Sequence, residues 1–207
     1  MSWVTRMTLD HATVARRKLW DTYDWHQAVW ECFPGHPNAI RDFLTRLDHI
    51  PCGFRLTILS MQPPDRPRWC TESGWHSIAI PPAYFHRTHF AFQLRVNPTK
   101  KVRVANANGS PKKNGRRVPI GQPAELAAWL TRKGSVGGFG IEMETLQVIP
   151  EGLQHFVQTR RRGTHSSVDF RGTLQITAPK KFYQTLQKGI GSAKAFGFGL
   201  LVIAPIS

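Results

Sequence analysis

Tyr23, His26 and Trp30 recur at offsets of three and four within residues 21–33, the spacing that lines side chains along one stripe of a helix. A phenol and an imidazole so placed can address one bound group. Histidine titrates near neutrality and can take or give a proton at physiological pH, whereas a tyrosine, with a pKa near about 10, suits orienting or donating better than acting as a base. The same stripe also fits core packing around a hydrogen-bonded histidine. The residues by themselves leave both readings open.

The run 189–199 carries glycines at 189, 191, 197 and 199. Nucleotide-binding glycine loops run from strand into helix, because the helix N-terminus supplies anion-binding amides. Here the expected order is helix, loop, strand, which disfavours a nucleotide cofactor. Gly191 and Lys194 are candidate contacts to a polymer backbone, the first by allowing close approach and the second by its charge; a tight connection into the last strand is the plainer alternative. Further basic candidates fall in three clusters: Arg95, Lys100, Lys101 and Arg103; Lys112, Lys113, Arg116 and Arg117; and Arg160, Arg161 and Arg162. Arginines next to strands and long loops suit a polyphosphate surface, through bidentate phosphate contacts. A metal centre has thin support. His86 and His89 lack an adjacent carboxylate, and Asp21 and Asp24 form the one carboxylate spacing of interest for two-metal chemistry. A metal-independent reaction with no cofactor is expected.

These residues need elements to hold them. Alternation of apolar and polar residues predicts strands over 3–9, 43–47, 54–61 and 75–80, with helical spacing over 21–33 that Pro34-Gly35 stops. In the second half, strands are expected over 90–96 and around 102–104, then a long polar and basic loop over 106–117. A helix opens at Pro123 and ends at Gly134 after Arg132 and Lys133, and the glycines of 134–140 form a hinge or loop. Strands over 141–149, 153–159 and 168–177, a helix over 179–188 capped by Gly189, and a strand over 200–204 complete the chain. This order lacks a regular parallel βαβ alternation. It predicts an α+β class with two tandem ferredoxin-like domains of antiparallel sheets, over 1–86 and 87–207.

Composition limits the partners. Over 207 residues, 28 Lys and Arg against 13 Asp and Glu leave a formal charge of +15, with 41% hydrophobic and 20% charged residues. Such a chain is too apolar for a disordered polycation and too basic for an indifferent surface. The apolar stretches fall short of the roughly 20 residues of a membrane span, and residues 1–20 carry no signal-peptide pattern, so a cytoplasmic location with no membrane partner is the expectation. Cys32, Cys52 and Cys70 include no CxxC pair and read as small buried hydrophobes.

Together the motifs resemble the CasE family of CRISPR-RNA-processing endoribonucleases, the repeat-cleaving subunit of the type I-E Cascade complex. The likeness rests on Tyr23-Asp24-Trp25-His26-Gln27-Ala28-Val29-Trp30, Phe33-Pro34 and Arg41-Asp42-Phe43-Leu44, then on Phe92 to Lys100 and Ala128-Trp129-Leu130. Gly189-Ile190-Gly191, Ala193-Lys194 and Gly197 to Leu201 complete it. The resemblance implies metal-independent cleavage of the repeat hairpin in precursor CRISPR RNA. A ribose 2′-hydroxyl attacks the adjacent phosphorus and leaves a 2′,3′-cyclic phosphate, with His26 and Tyr23 in the catalytic positions. His26 fits base or acid, the base being favoured. The product hairpin is expected to stay bound, making the protein a subunit that also meets other Cascade subunits, the backbone subunit among them. A non-catalytic subunit that binds structured RNA is the alternative, and a basic protein of ribosomal type a more distant one.

Overall fold

Alternating side chains build a first antiparallel sheet from Ser2–Leu9 (β1), Phe43–Ile50 (β2), Gly53–Ser60 (β3) and Trp75–Ile80 (β4), in the order β2-β3-β1-β4. This is a ferredoxin-like order with two helices, His11–Arg17 (α1) and Thr22–Trp30 (α2), in the first crossover. The structure is a computed structural model and describes residues 2–34, 41–103, 115–158 and 161–206, with the backbone alone described at 155–158 and 161–163. In place of a second crossover helix, residues 61–74 form an irregular strap. Prolines at 63, 64 and 67 explain this, because each lacks an amide N–H and clashes with a preceding helical turn. The strap is tied to the end of α2: the Asp65 amide donates to the Cys32 carbonyl at 2.8 Å, and Trp69 Nε1 donates to Glu31 Oε2 at 2.6 Å.

The second unit repeats the plan. His89–Val96 (β5), Phe139–Ile141 (β8), Gln147–Gln158 (β9), Arg161–Ile176 (β10) and Leu201–Pro205 (β11) form an antiparallel sheet ordered β11-β5-β10-β8, with β9 also pairing with β10. Thr99–Val102 (β6) and Arg116–Pro119 (β7) make a separate hairpin. The helices are Pro123–Gly137 (α3) and Pro179–Lys188 (α4). Period-two burial on β5 sets the core: Phe90, Phe92, Leu94 and Val96 are all buried, against Val168, Phe170, Leu174 and Ile176 of β10, Leu126, Trp129 and Leu130 of α3, and Phe182 and Leu186 of α4. Each such side chain contributes roughly 1.5–3 kcal/mol by leaving water.

The first sheet is buried on two sides. Phe43, Leu56 and Ile58 face the core under α1 and α2 with Met7, Val14, Trp25 and Val29, while Leu44 and Leu59, one step along their strands, belong to the core of the second unit. The period of two thus makes β2 and β3 common to both cores.

Four expectations need correction. The helix from Pro123 continues past Gly134 to Gly137 and is capped by Gly138 in a left-handed conformation, φ 82°. Gly134 is glycine for contact rather than termination, since a Cβ there would lie 2.7 Å from the Phe139 carbonyl oxygen. The strands expected over 141–149 and 153–159 are a three-residue β8, a single-turn 3-10 helix at Met143–Thr145, and one long β9 whose register on β10 shifts between Ser167 and Val168. Arg116 and Arg117, expected in a loop, stand on β7. Cys32 and Cys70 are buried as expected, burial pushing the Cys32 thiol up to about 12, but Cys52 is exposed.

Candidate active site at the seam between the two units

Helix α2 is fixed at its start by Asp21. The Asp21 carboxylate accepts from the Tyr23 and Asp24 amides at 2.8 and 3.0 Å, and Asp24 Oδ2 accepts from the Asp21 amide at 3.1 Å, a reciprocal capping box. The two carboxylates considered for metal chemistry are thus spent on closing the helix. Trp25, Ala28 and Val29 anchor the buried side. This turns the stripe of Tyr23, His26 and Trp30 towards the edge of the core, with Tyr23 exposed and His26 and Trp30 half-buried.

His26 is set in an aromatic frame. Its ring centroid lies 5.6 Å from Phe43 and 6.1 Å from Trp30, the latter edge-on, and Trp30 packs on Phe43 at 5.0 Å. Trp30 Nε1 donates to His26 Nε2 at 3.2 Å. Burial among these rings pushes the His26 pKa below the ordinary 6.5, and the positive charge of Arg41 pushes it the same way. The imidazole is accordingly neutral at physiological pH.

The second unit supplies the facing wall. The glycine run follows α4, and its 3-10 turn Lys194–Phe196 packs against α2 and β2. Left-handed backbone at Gly191, Gly197 and Gly199 folds the loop back on itself: the Gly199 amide donates to the Arg95 carbonyl at 2.8 Å, and the Ile190 amide donates to the Gly199 carbonyl at 2.9 Å. Gly191 sits over Trp129, whose ring is 3.5 Å from the position of an added Cβ. Lys194 donates to the Lys188 carbonyl at 2.6 Å, and burial lowers its pKa, with Arg41, Lys133 and Lys188 adding to the effect. Arg41 itself is lowered by burial. The charge of Arg41 thus bears on both His26 and Lys194 in partly dehydrated surroundings, which suits a phosphate.

The other candidate basic residues divide by surroundings. Arg95 is engaged within the protein: its guanidinium donates to Glu151 at 2.7 and 2.9 Å, to the Leu47 carbonyl at 2.5 Å and to Asp48 at 3.2 Å. It ties β5 and β9 to β2, and its five donors have little left for a phosphate. Lys100 pairs with Glu125 at 2.6 Å on the surface. Lys101, Arg103, Arg116 and Arg117 are exposed on or beside the β6–β7 hairpin. Arg161 and Arg162 begin β10, at the end of the β9–β10 hairpin. Lys112, Lys113 and Arg160 lie outside the described residues.

Arg41 and Phe43 were missed as site residues by sequence reasoning. Arg41 precedes β2 with no periodic pattern around it, and Phe43 looks like any strand core residue. Only the pairing of β2 with β3 and the packing of α2 bring them to His26.

Comparison with known proteins agrees with this geometry. Residues 2–205 match a family model described as CRISPR associated protein. The chain is 32% identical to the CRISPR system Cascade subunit CasE of Escherichia coli, covering 97% of this chain and 100% of that one. It is 29% identical to the CRISPR-associated endoribonuclease Cse3 of Thermus thermophilus, covering 98% and 100%. Among solved structures, Thermus thermophilus Cse3 bound to an RNA representing a pre-cleavage complex superposes with a TM-score of 0.74 at 27% identity, covering 99% of both chains. From its sequence end to end and from its paired ferredoxin-like sheets, the chain belongs to the CRISPR associated protein family.

Proposed function

We propose that the protein is a metal-independent endoribonuclease that binds and cleaves the repeat hairpin of precursor CRISPR RNA, with His26 as the proton-transfer group, and remains on the product as a Cascade subunit. The observation that carries this is the half-buried imidazole of His26, framed by Phe43 and Trp30 and under the charge of Arg41, on a helix that packs against the turn bearing Lys194. The roles that the names of CasE and Cse3 give those relatives support it, as does the RNA bound to the latter.

In the reaction, the ribose 2′-oxygen forms a bond to phosphorus as the bond from phosphorus to the 5′-oxygen breaks. The 2′-hydroxyl proton goes to neutral His26, and the departing 5′-oxygen takes up a proton from water. The products are a 2′,3′-cyclic phosphate and a 5′-hydroxyl. A base held below its ordinary pKa is already unprotonated when substrate arrives. Positive charge from Arg41 and Lys194 stabilises the phosphorane, where water is partly excluded and charge acts more strongly. Tyr23, one turn before His26 and open to solvent, orients the ribose or phosphate. Duplex RNA has a deep and narrow major groove, so the stem is gripped through phosphates, and Lys101, Arg103, Arg116, Arg117, Arg161 and Arg162, together with Lys112, Lys113 and Arg160, are the proposed contacts.

We place the division into two domains at 86/87, supported by a first sheet that ends at Ile80 and a second that begins at His89. No helix among the described residues is long and apolar enough to cross a membrane, and a transcript as substrate puts the reaction in the cytoplasm. End-group analysis of the cut hairpin tests the proposal: a 2′,3′-cyclic phosphate upstream and a 5′-hydroxyl downstream are expected. A 3′-hydroxyl with a 5′-phosphate contradicts it, and tight binding without any cut makes the protein a non-catalytic RNA-binding subunit.

A further inference from the structure

His26 and Trp30 sit one turn apart on α2, and the indole Nε1–H points at His26 Nε2 with 3.2 Å between the nitrogens. An indole N–H only donates, so Nε2 must accept, and a neutral imidazole that accepts at Nε2 carries its proton on Nδ1. Nδ1 has no hydrogen-bond partner among the described residues; Nε2 is the basic nitrogen, and it takes the 2′-hydroxyl proton as it gives up the Trp30 bond. Trp30 is itself held by Phe43, edge-on at 5.0 Å, so the donor is braced rather than free to swing.

We propose that Trp30 is a positioning residue for RNA cleavage: its indole N–H fixes the ring orientation and tautomer of His26, holding the proton on Nδ1 and keeping the imidazole unprotonated at Nε2 until RNA enters the seam. This rests on the cleavage reaction proposed above. The imidazolium bears N–H on both nitrogens, so protonating Nε2 sets two donors against each other and forces the Trp30 bond to break. Trp30 thereby adds to two influences already present, burial and the Arg41 charge. Other charged or titratable groups on elements packed against α2 include Lys194 on the 3-10 turn, His49 on β2, Asp48 and Arg46 on β2, which are paired with each other, Arg17 on α1, which is paired with Glu31, and Glu151 on β9, which is held by Arg95. Of these surroundings, Arg41 is the charge that acts on His26.

The test is 15N NMR of the histidine rings in the RNA-free protein, set beside the pH dependence of single-turnover cleavage, in the parent and in Trp30→Phe. Phenylalanine keeps an aromatic ring against Phe43 and removes the N–H together with part of the indole's volume. The parent is expected to show the Nδ1–H tautomer at His26. Trp30→Phe is expected to mix the tautomers and to move the His26 titration and the corresponding limb of the rate profile upward by about half a pH unit, the order expected for one neutral hydrogen bond. That limb moves upward whether His26 acts as base or acid. A parent whose His26 carries its proton on Nε2 overturns the proposal, even where Trp30→Phe fails to fold. So does a folded Trp30→Phe with tautomer and limb unchanged. A parent that leaves the hairpin uncut defeats the cleavage reaction and with it the catalytic half of the proposal, while the tautomer measurement still decides the hydrogen bond.

Discussion

Arg46 and Asp169 form a fully buried ion pair between the two units, Nη1 to Oδ1 at 2.8 Å across 123 residues of chain. Arg46 also pairs with Asp48 at 2.9 Å, Arg171 reaches Asp169 at 2.9 Å, and Arg95 links Asp48 to Glu151. The pair locks β2 to β10 and so fixes the helix bearing His26 against the glycine loop. Removing one partner strands a buried charge, so Arg46→Ala should cost about 3–5 kcal/mol in denaturant unfolding. Replacing both residues by apolar ones of similar volume should cost much less.

The same pair sets an acid limit to stability. Burial alone raises the Asp169 pKa, but hydrogen bonds and charge from Arg46, with Arg171 and Arg95, outweigh it and hold the carboxyl below its ordinary 3.8. The folded state therefore binds this proton less readily than the unfolded one. Its stabilisation is complete above the unfolded value and is lost as pH falls through the lower folded value. Thermal melts of the parent should show this loss below about pH 4, and Asp169→Asn should be flatter over that range.

Arg41 acts on His26 in the same direction as burial. Arg41→Gln should move the His26 limb of the rate profile upward, towards 6.5, while leaving the larger contribution from burial in place. A limb that stays fixed separates Arg41 from His26.

The glycine loop depends on left-handed backbone. Gly199 has φ 86°, and a Cβ there would come within 2.6 Å of the Ile190 carbonyl oxygen. Gly199→Ala should destabilise by more than the roughly 1–2 kcal/mol of a left-handed alanine alone. Ala193, at φ 61°, already bears such a conformation. Ala193→Gly should accordingly be neutral or mildly stabilising, as read by the unfolding midpoint.

The exposed hairpin cations should show themselves through salt. Each of Lys101→Ala, Arg116→Ala and Arg117→Ala should lower the slope of log affinity for hairpin RNA against log salt by about one. Arg95→Ala should act on folding instead, because its guanidinium is engaged by Glu151, Asp48 and Leu47.

Much of this was legible beforehand. The period of two in Phe90 to Val96 and in Val168 to Ile176, the Pro-to-Gly span of α4, and the stripe of Tyr23, His26 and Trp30 are local patterns and survive into the structure unchanged. Gly134 misled because a glycine after basic residues matches a helix stop, whereas its reason lies in Phe139, five residues on. Arg95 alternates with a buried face and so looked solvent-facing; its carboxylate partners come from β2 and β9, which sequence spacing does not bring together. The seam that sets the turn bearing Lys194 against α2 and β2 is likewise a product of topology. No local period encodes it.

The most direct test of His26 is single-turnover cleavage of saturating repeat-hairpin RNA in excess EDTA, comparing the parent with His26→Ala, with RNA affinity measured alongside. A rate about 100- to 10,000-fold lower, at unchanged affinity, is the expected result. A variant that cuts within a few-fold of the parent would contradict the assignment of proton transfer to His26.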